Sequence, residues 1–161
     1  FLFNVGPDSI KVVIHPQALV HSMVEFVDGV ILAQLSTTDM RIPIQYALSY
    51  PDRFKSNVAG VNFRRKIVLD FESPDFRKFP CLGLALRAAG EGGSVPCVLN
   101  AANEVCVGAF LEGRLDFMSI PRIIRKVMDS HKKINKPSLM DILELDRWAK
   151  SKAYAFMKTG A

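Results

Sequence analysis

Residues 10–35 read IKVVIHPQALVHSMVEFVDGVILAQL, and this stretch decides the first half of the fold. The β-branched run 10–14 ends at His15-Pro16, where proline removes a ladder donor and restricts the residue before it, so a buried strand is expected over 10–14. SMVEFV (22–27) and VILAQL (30–35) then flank Asp28-Gly29, two residues that tolerate the positive φ of a type I′ turn. A β-hairpin is expected there. Working outward, 41–49 (RIPIQYALS) suits a short helix with Pro43 in its first turn and a stop at Tyr50-Pro51. Residues 52–65 are polar and read as loop, and 66–71 (KIVLDF) reads as a last strand closed by Glu72-Ser73-Pro74.

From residue 75 the apolar period becomes helical. Residues 81–89 are rich in Ala and Leu and stop at the Gly90-Glu91-Gly92-Gly93 cluster. Ala102, Val105, Cys106, Ala109 and Phe110 share one helical face, with Gly113 as the stop. Ser119 is expected to cap a third helix, with Pro121 in its first turn and Ile120, Ile123, Ile124, Val127 and Met128 along one side. The fourth begins at Ser138-x-x-Asp141, a capping-box pattern, and presents Ile142, Leu145, Ala149, Ala153 and Phe156. The expected fold class is α+β: a part of an α/β unit with strands, a hairpin and a short helix over 1–54, a connecting loop and strand over 55–74, and a four-helix-bundle-like unit over 75–161.

Composition bounds the rest. The chain has 161 residues, 49% of them hydrophobic and 23% charged, which places it in the globular range. No uninterrupted apolar run approaches the ~18 residues of a membrane span, so a soluble protein with no membrane partner is expected. The net charge is +5, and the whole excess falls after residue 74. Three cysteines, Cys81, Cys97 and Cys106, make no CxxC pair. Free thiols in a reducing, cytoplasmic compartment are the simpler expectation. The opening Phe1-Leu2-Phe3-Asn4 carries no initiator Met and no secretory pattern, and it reads as the last turn of a helix begun upstream.

The search for chemistry starts with absences. Neither GxGxxG nor GxxxxGK[ST] occurs, nor HExxH or GxSxG. Cys97 and Cys106 fall in or beside an apolar helix, which favours structural thiols over nucleophiles. His15 and His21 bracket a strand end, where α/β proteins place ligands; each imidazole could equally do no more than bond the backbone. No acidic or Cys ligand lies near them in sequence to complete a metal site. Arg122, Arg125, Lys126, Lys132, Lys133 and Lys136 could meet phosphate or nucleic acid, or form a solvated helix face. No aromatic residue is interleaved to stack a base, so no nucleic-acid partner is expected. Met40 could fill a core gap, or offer a flexible surface to a flat ring.

The segments IHPQALVHSMVEFVDGVILAQLSTTDMRIPIQYAL, FPCLGLALRAAGEGG and LNAANEVCVGAFL resemble, in order and spacing, the C-terminal part of the 1-deoxy-D-xylulose 5-phosphate reductoisomerase family. The resemblance spans essentially the whole chain. It implies a metal-assisted rearrangement of that sugar phosphate to an aldehyde, followed by hydride delivery from NADPH to give 2-C-methyl-D-erythritol 4-phosphate in non-mevalonate isoprenoid biosynthesis. Mg²⁺ or Mn²⁺ would act as the Lewis acid. The family's metal-binding carboxylates and most of its substrate-binding residues precede the matching region, so they transfer to no position here and the chain alone is expected to be inactive. Two residues do transfer: His21, the second histidine of the IHPQ-containing strand end, supporting the catalytic site from behind its direct ligands, and Met40 of the DMR segment, against substrate and nicotinamide. Thr38 stands where the family often has proline. The resemblance also implies a homodimer paired through sheet that includes residues 22–35, in the cytoplasm or a plastid stroma. An alternative of another class is an independent phosphate-binding or protein-interaction module built on the basic helical half.

Overall fold

The computed structural model describes residues 5–159. The expected helical turn at residues 1–4 lies outside them. The chain divides into two compact units: residues 12–74, and residue 75 onward together with the segment before residue 12. It is mixed α+β and mostly helical.

In the first unit, β1 (Val20–Glu25) and β2 (Ile31–Leu35) form the expected antiparallel hairpin. The turn differs from the expected type I′, which needs positive φ at both central residues. Only Gly29 has it here, at 84°. Gly29 N donates to the Phe26 carbonyl and Phe26 N to the Val30 carbonyl, so three residues, 27–29, close the hairpin. Asp28 favours this form because its carboxylate accepts from Val30 N at 3.0 Å. Helix α1 (Arg41–Ser49) follows at the expected residues, and Tyr50-Pro51 ends it.

The strands expected over 10–14 and 66–71 are not formed. What remains is one antiparallel bridge, in which Ile14 and Glu72 exchange both backbone hydrogen bonds. A ladder needs consecutive pairs and a buried face to fix its register. Here Ile10, Val12, Val13, Val68 and Leu69 remain exposed, so β-branched composition alone does not extend the pairing. Among the described residues, none between 12 and 74 is buried.

The second unit carries the core. Helix α2 (Pro80–Glu91), α3 (Val95–Leu111), α4 (Ser119–Asp129) and α5 (Leu139–Lys158) are the four expected helices, with α2 longer than 81–89 at both ends. A 3₁₀ turn, Pro7–Ser9, lies against α2. Helix α3 is central and packs on α2, α4 and α5. Its Val98, Ala101, Ala102 and Cys106 are fully buried with Ile123 and Val127 of α4 and Ala149 and Ala153 of α5. The alanines matter because small side chains let helix axes approach closely. Phe110, expected on the core face, is part-exposed and meets Phe117 edge-on at 5.7 Å.

Two helix starts are capped by carboxylates. Ser138 and Asp141 form the expected reciprocal capping box on α5. On α4 the cap expected from Ser119 comes instead from Asp116, whose carboxylate accepts from both the Ser119 amide and its hydroxyl at 2.9 and 2.5 Å. Ser119 is already inside the helix, so its amide is a donor in need of a partner. These bonds pull the Asp116 carboxyl below the usual range, the Ser119 hydroxyl contributing most.

Candidate functional site

Between Val20 and Ser22 the hairpin register slips by one residue: Val20 faces Leu35, but Ser22 faces Gln34. His21 is therefore the extra residue of a β-bulge. Bulges are found where a strand must re-aim a side chain. The His21 ring is exposed, and its Nε2 lies 2.8 Å from Ser36 Oγ and 3.2 Å from the Ser36 carbonyl. Ser36 Oγ donates its own proton to the Thr37 carbonyl at 3.0 Å. Both atoms near Nε2 are thus acceptors, so Nε2 carries the ring proton. Nδ1 is left facing outward as a hydrogen-bond acceptor.

Ser36 opens the segment that leads to Met40, so one hydrogen-bonded unit links the two residues singled out in the sequence. Met40 stands immediately before α1 and is 71% exposed. A core role does not fit that exposure; the thioether is presented to whatever lies outside this unit. On either side of it, Asp39 and Arg41 form an ion pair at 2.5 Å, and Asp39 also accepts from the Arg41 amide at 2.9 Å. The Arg41 hydrogen bonds hold the Asp39 carboxyl at about 2. The backbone flanking Met40 is thereby pinned while its side chain is free. Sequence reading passed over both the Asp39–Arg41 pair and Ser36; the D-x-R spacing at a helix start was the signal for the first.

Nearby loops are tied to the same frame. Thr37 Oγ1 donates to the Ala59 carbonyl at 3.1 Å, and Gln45 Nε2 to the Phe54 carbonyl at 2.9 Å. The Arg53 guanidinium sits 3.5 Å above the Tyr46 ring. A cavity of about 70 Å³ opens there, lined by Ile42, Gln45, Tyr46, Arg53 and neighbours. It is far below the roughly 300 Å³ of a small-molecule site, and neither His21 nor Met40 lines it.

Other candidates resolve on structural grounds. Burial pushes the Cys106 thiol up to about 11 and raises Cys81 and Cys97, so no described thiol is activated. Of the basic stretch, Arg122 bonds Ser119 and the Met118 carbonyl, Lys126 lies 5.9 Å above the Phe156 ring, and Lys133 donates to the Glu91 carbonyl. Half of these cations thus serve the helical unit itself. Among the described residues, no three His, Cys, Asp or Glu side chains gather to hold a metal ion.

The sequence profile of the DXP reductoisomerase C-terminal domain matches residues 35–152. The chain belongs to the DXP reductoisomerase family. The 1-deoxy-D-xylulose 5-phosphate reductoisomerase of Trichlorobacter lovleyi is 49% identical over 153 residues, which cover 95% of this chain and 39% of that protein. The solved Zymomonas mobilis DXP reductoisomerase in complex with NADPH superposes with a TM-score of 0.89 at 39% identity, over 97% of this chain and 41% of that one. A DXP reductoisomerase solved with NADPH, fosmidomycin and magnesium gives a TM-score of 0.91 at 39% identity, covering 98% and 41%. The chain spans about two fifths of the length of these DXP reductoisomerases. Its described residues do not by themselves form a metal site.

Proposed function

We propose that this chain is the C-terminal portion of a reductoisomerase that converts 1-deoxy-D-xylulose 5-phosphate to 2-C-methyl-D-erythritol 4-phosphate in isoprenoid biosynthesis. The observation that carries the reading is the 49% identity to a reductoisomerase over 95% of the chain. NADPH supplies the hydride and Mg²⁺ or Mn²⁺ the Lewis acid, and both are held by residues from the part of the enzyme that this chain does not span. The chain by itself is inactive.

His21 and Met40 are its contribution to the site. His21 Nδ1 accepts a hydrogen bond from a hydroxyl of the sugar phosphate or of a residue that touches it, while Ser36 fixes the tautomer from behind. Met40 covers one face of the nicotinamide and excludes water from it, its backbone held by the Asp39–Arg41 pair. The helical unit is a support. The enzyme is a homodimer, paired through sheet that includes residues 22–35; the exposure of Val24, Ile31 and Leu32, at 57%, 56% and 61%, is consistent with such a face. It works in the cytoplasm or a plastid stroma, with neither nucleic acid nor membrane as partner.

The test replaces the matching two fifths of the Trichlorobacter lovleyi enzyme with this chain and follows NADPH oxidation on 1-deoxy-D-xylulose 5-phosphate. Turnover by the hybrid, and none by this chain alone, is the expected result. A folded hybrid without turnover overturns the reading.

A further inference from the structure

Three residues before His21, Ala18 has a φ of 49°, and it is the only non-glycine with positive φ among the described residues. The left-handed conformation is strained for an alanine and persists only where the surroundings impose it. What imposes it here is visible on its N-terminal side. Ile14 and Glu72 exchange backbone hydrogen bonds at 2.8 and 2.9 Å. The Gln17 amide grips Asp70 twice, donating to its carboxylate at 2.5 Å and accepting from its backbone N–H at 3.1 Å. His15 completes the hold: its Nδ1 is 2.8 Å from the Asp70 carbonyl, its ring stacks on Phe71 at 4.7 Å, and its own carbonyl accepts from Ala18 N at 3.0 Å.

A carbonyl only accepts, so His15 Nδ1 carries the proton. Nε2 is then a buried acceptor, and it has no partner among the described residues. Burying an unsatisfied nitrogen is costly, and a phenyl ring would stack on Phe71 without that cost. The feature of histidine that the fold uses is the Nδ1 donor. On the C-terminal side of Ala18 the chain enters β1, and within two residues the register slips to make His21 the unpaired residue of the bulge. Side chains alternate faces along a strand, so the path taken through residues 15–18 decides where the residue at 21 points.

We propose that His15, acting with Gln17 and Asp70, is a positioning residue that holds the 16–18 turn in its strained path and thereby sets where the His21 imidazole stands. The proposal rests on the reading of His21 given above, and its test separates the two. The chain has three histidines, so the ring resonances of His21 are resolvable by ¹³C–¹H NMR in the 161-residue protein. Three variants are compared. His15→Phe keeps the stack on Phe71 and removes the donor. His15→Asn places an amide N–H where Nδ1 stands. His15→Phe combined with Ala18→Gly also relieves the strain at residue 18, so it remains folded even if His15→Phe alone does not.

The expected result is that His15→Phe, alone or with Ala18→Gly, displaces the His21 ring resonances and that His15→Asn restores them. Unmoved His21 resonances in the His15→Phe/Ala18→Gly pair, or in a folded His15→Phe, overturn the proposal, as does failure of His15→Asn to restore them. In the active hybrid enzyme, His15→Phe with Ala18→Gly should raise KM for the sugar phosphate about five- to twenty-fold, a loss on the scale expected for a misplaced contact group. Displaced resonances with unchanged kinetics leave the positioning role standing and remove His21 from the catalytic site.

Discussion

Replacing Ser94 by alanine should destabilise the helical unit far more than the loss of one oxygen atom suggests. Ser94 is 0% exposed and sits in the link between α2 and α3. Its Oγ accepts from the Ile134 amide at 2.9 Å and lies 2.8 Å from His131 Nε2, while its own N–H donates to the Ile134 carbonyl at 3.0 Å. The Ser94 hydroxyl is fully buried and Nε2 is the acceptor within its reach, so its hydrogen points to Nε2, and His131 is the neutral acceptor. One atom therefore ties the α2–α3 link to the α4–α5 link, and Gly93 beside it, at φ 58°, leaves no room for a Cβ against the Ile134 carbonyl. The substitution strands two part-buried partners, each at the lower end of about 1–3 kcal/mol, so a total of about 2 kcal/mol is expected. For a unit of this size about 4–8 °C is lost per kcal/mol, which makes a fall of roughly 8–16 °C in Tm. Urea and thermal unfolding of the chain, followed by helical circular dichroism, measure it. The cycle with His131→Phe should show coupling of about 1 kcal/mol, because the two side chains share one bond. A loss below about 0.5 kcal/mol, or strict additivity in the cycle, refutes the clasp.

Two further expectations are specific. Burial lowers the His131 pKa below its usual 6.5, with Glu91 opposing in part, so the unfolded chain binds a proton before the folded one does. Stability should be complete above about pH 6.5 and decline on acidification until His131 titrates in the folded state; His131→Gln should flatten that decline, and an unchanged pH dependence of Tm contradicts it. Met40→Ala, at a side chain 71% exposed, should cost under about 1 kcal/mol in folding, against 2–5 for a buried methionine, while turnover of the hybrid enzyme falls several-fold. Wild-type kinetics with a much lower Tm would make Met40 structural.

Elements whose causes are local were legible along the chain. Asp28-Gly29 between alternating apolar runs fixed a hairpin, Ser138-x-x-Asp141 fixed the start of α5, and Pro43 with Tyr50-Pro51 bounded α1. The apolar faces of α4 and α5 were legible because a 3.6-residue period reports a buried stripe whatever it packs against. His21 and Met40 could be named through resemblance, but nothing in their neighbourhood along the chain showed what surrounds them. That 10–14 and 66–71 meet at a single bridge emerges only in three dimensions, since strand formation needs a partner at every step and composition carries no record of one. The same holds for the slip at Val20/Ser22 that frees His21, for the Asp70 grip on His15 and Gln17 across more than fifty residues, and for the Ser94–His131 clasp. Each joins groups remote in sequence through directional bonds, and no periodicity encodes a partner that only folding brings within reach.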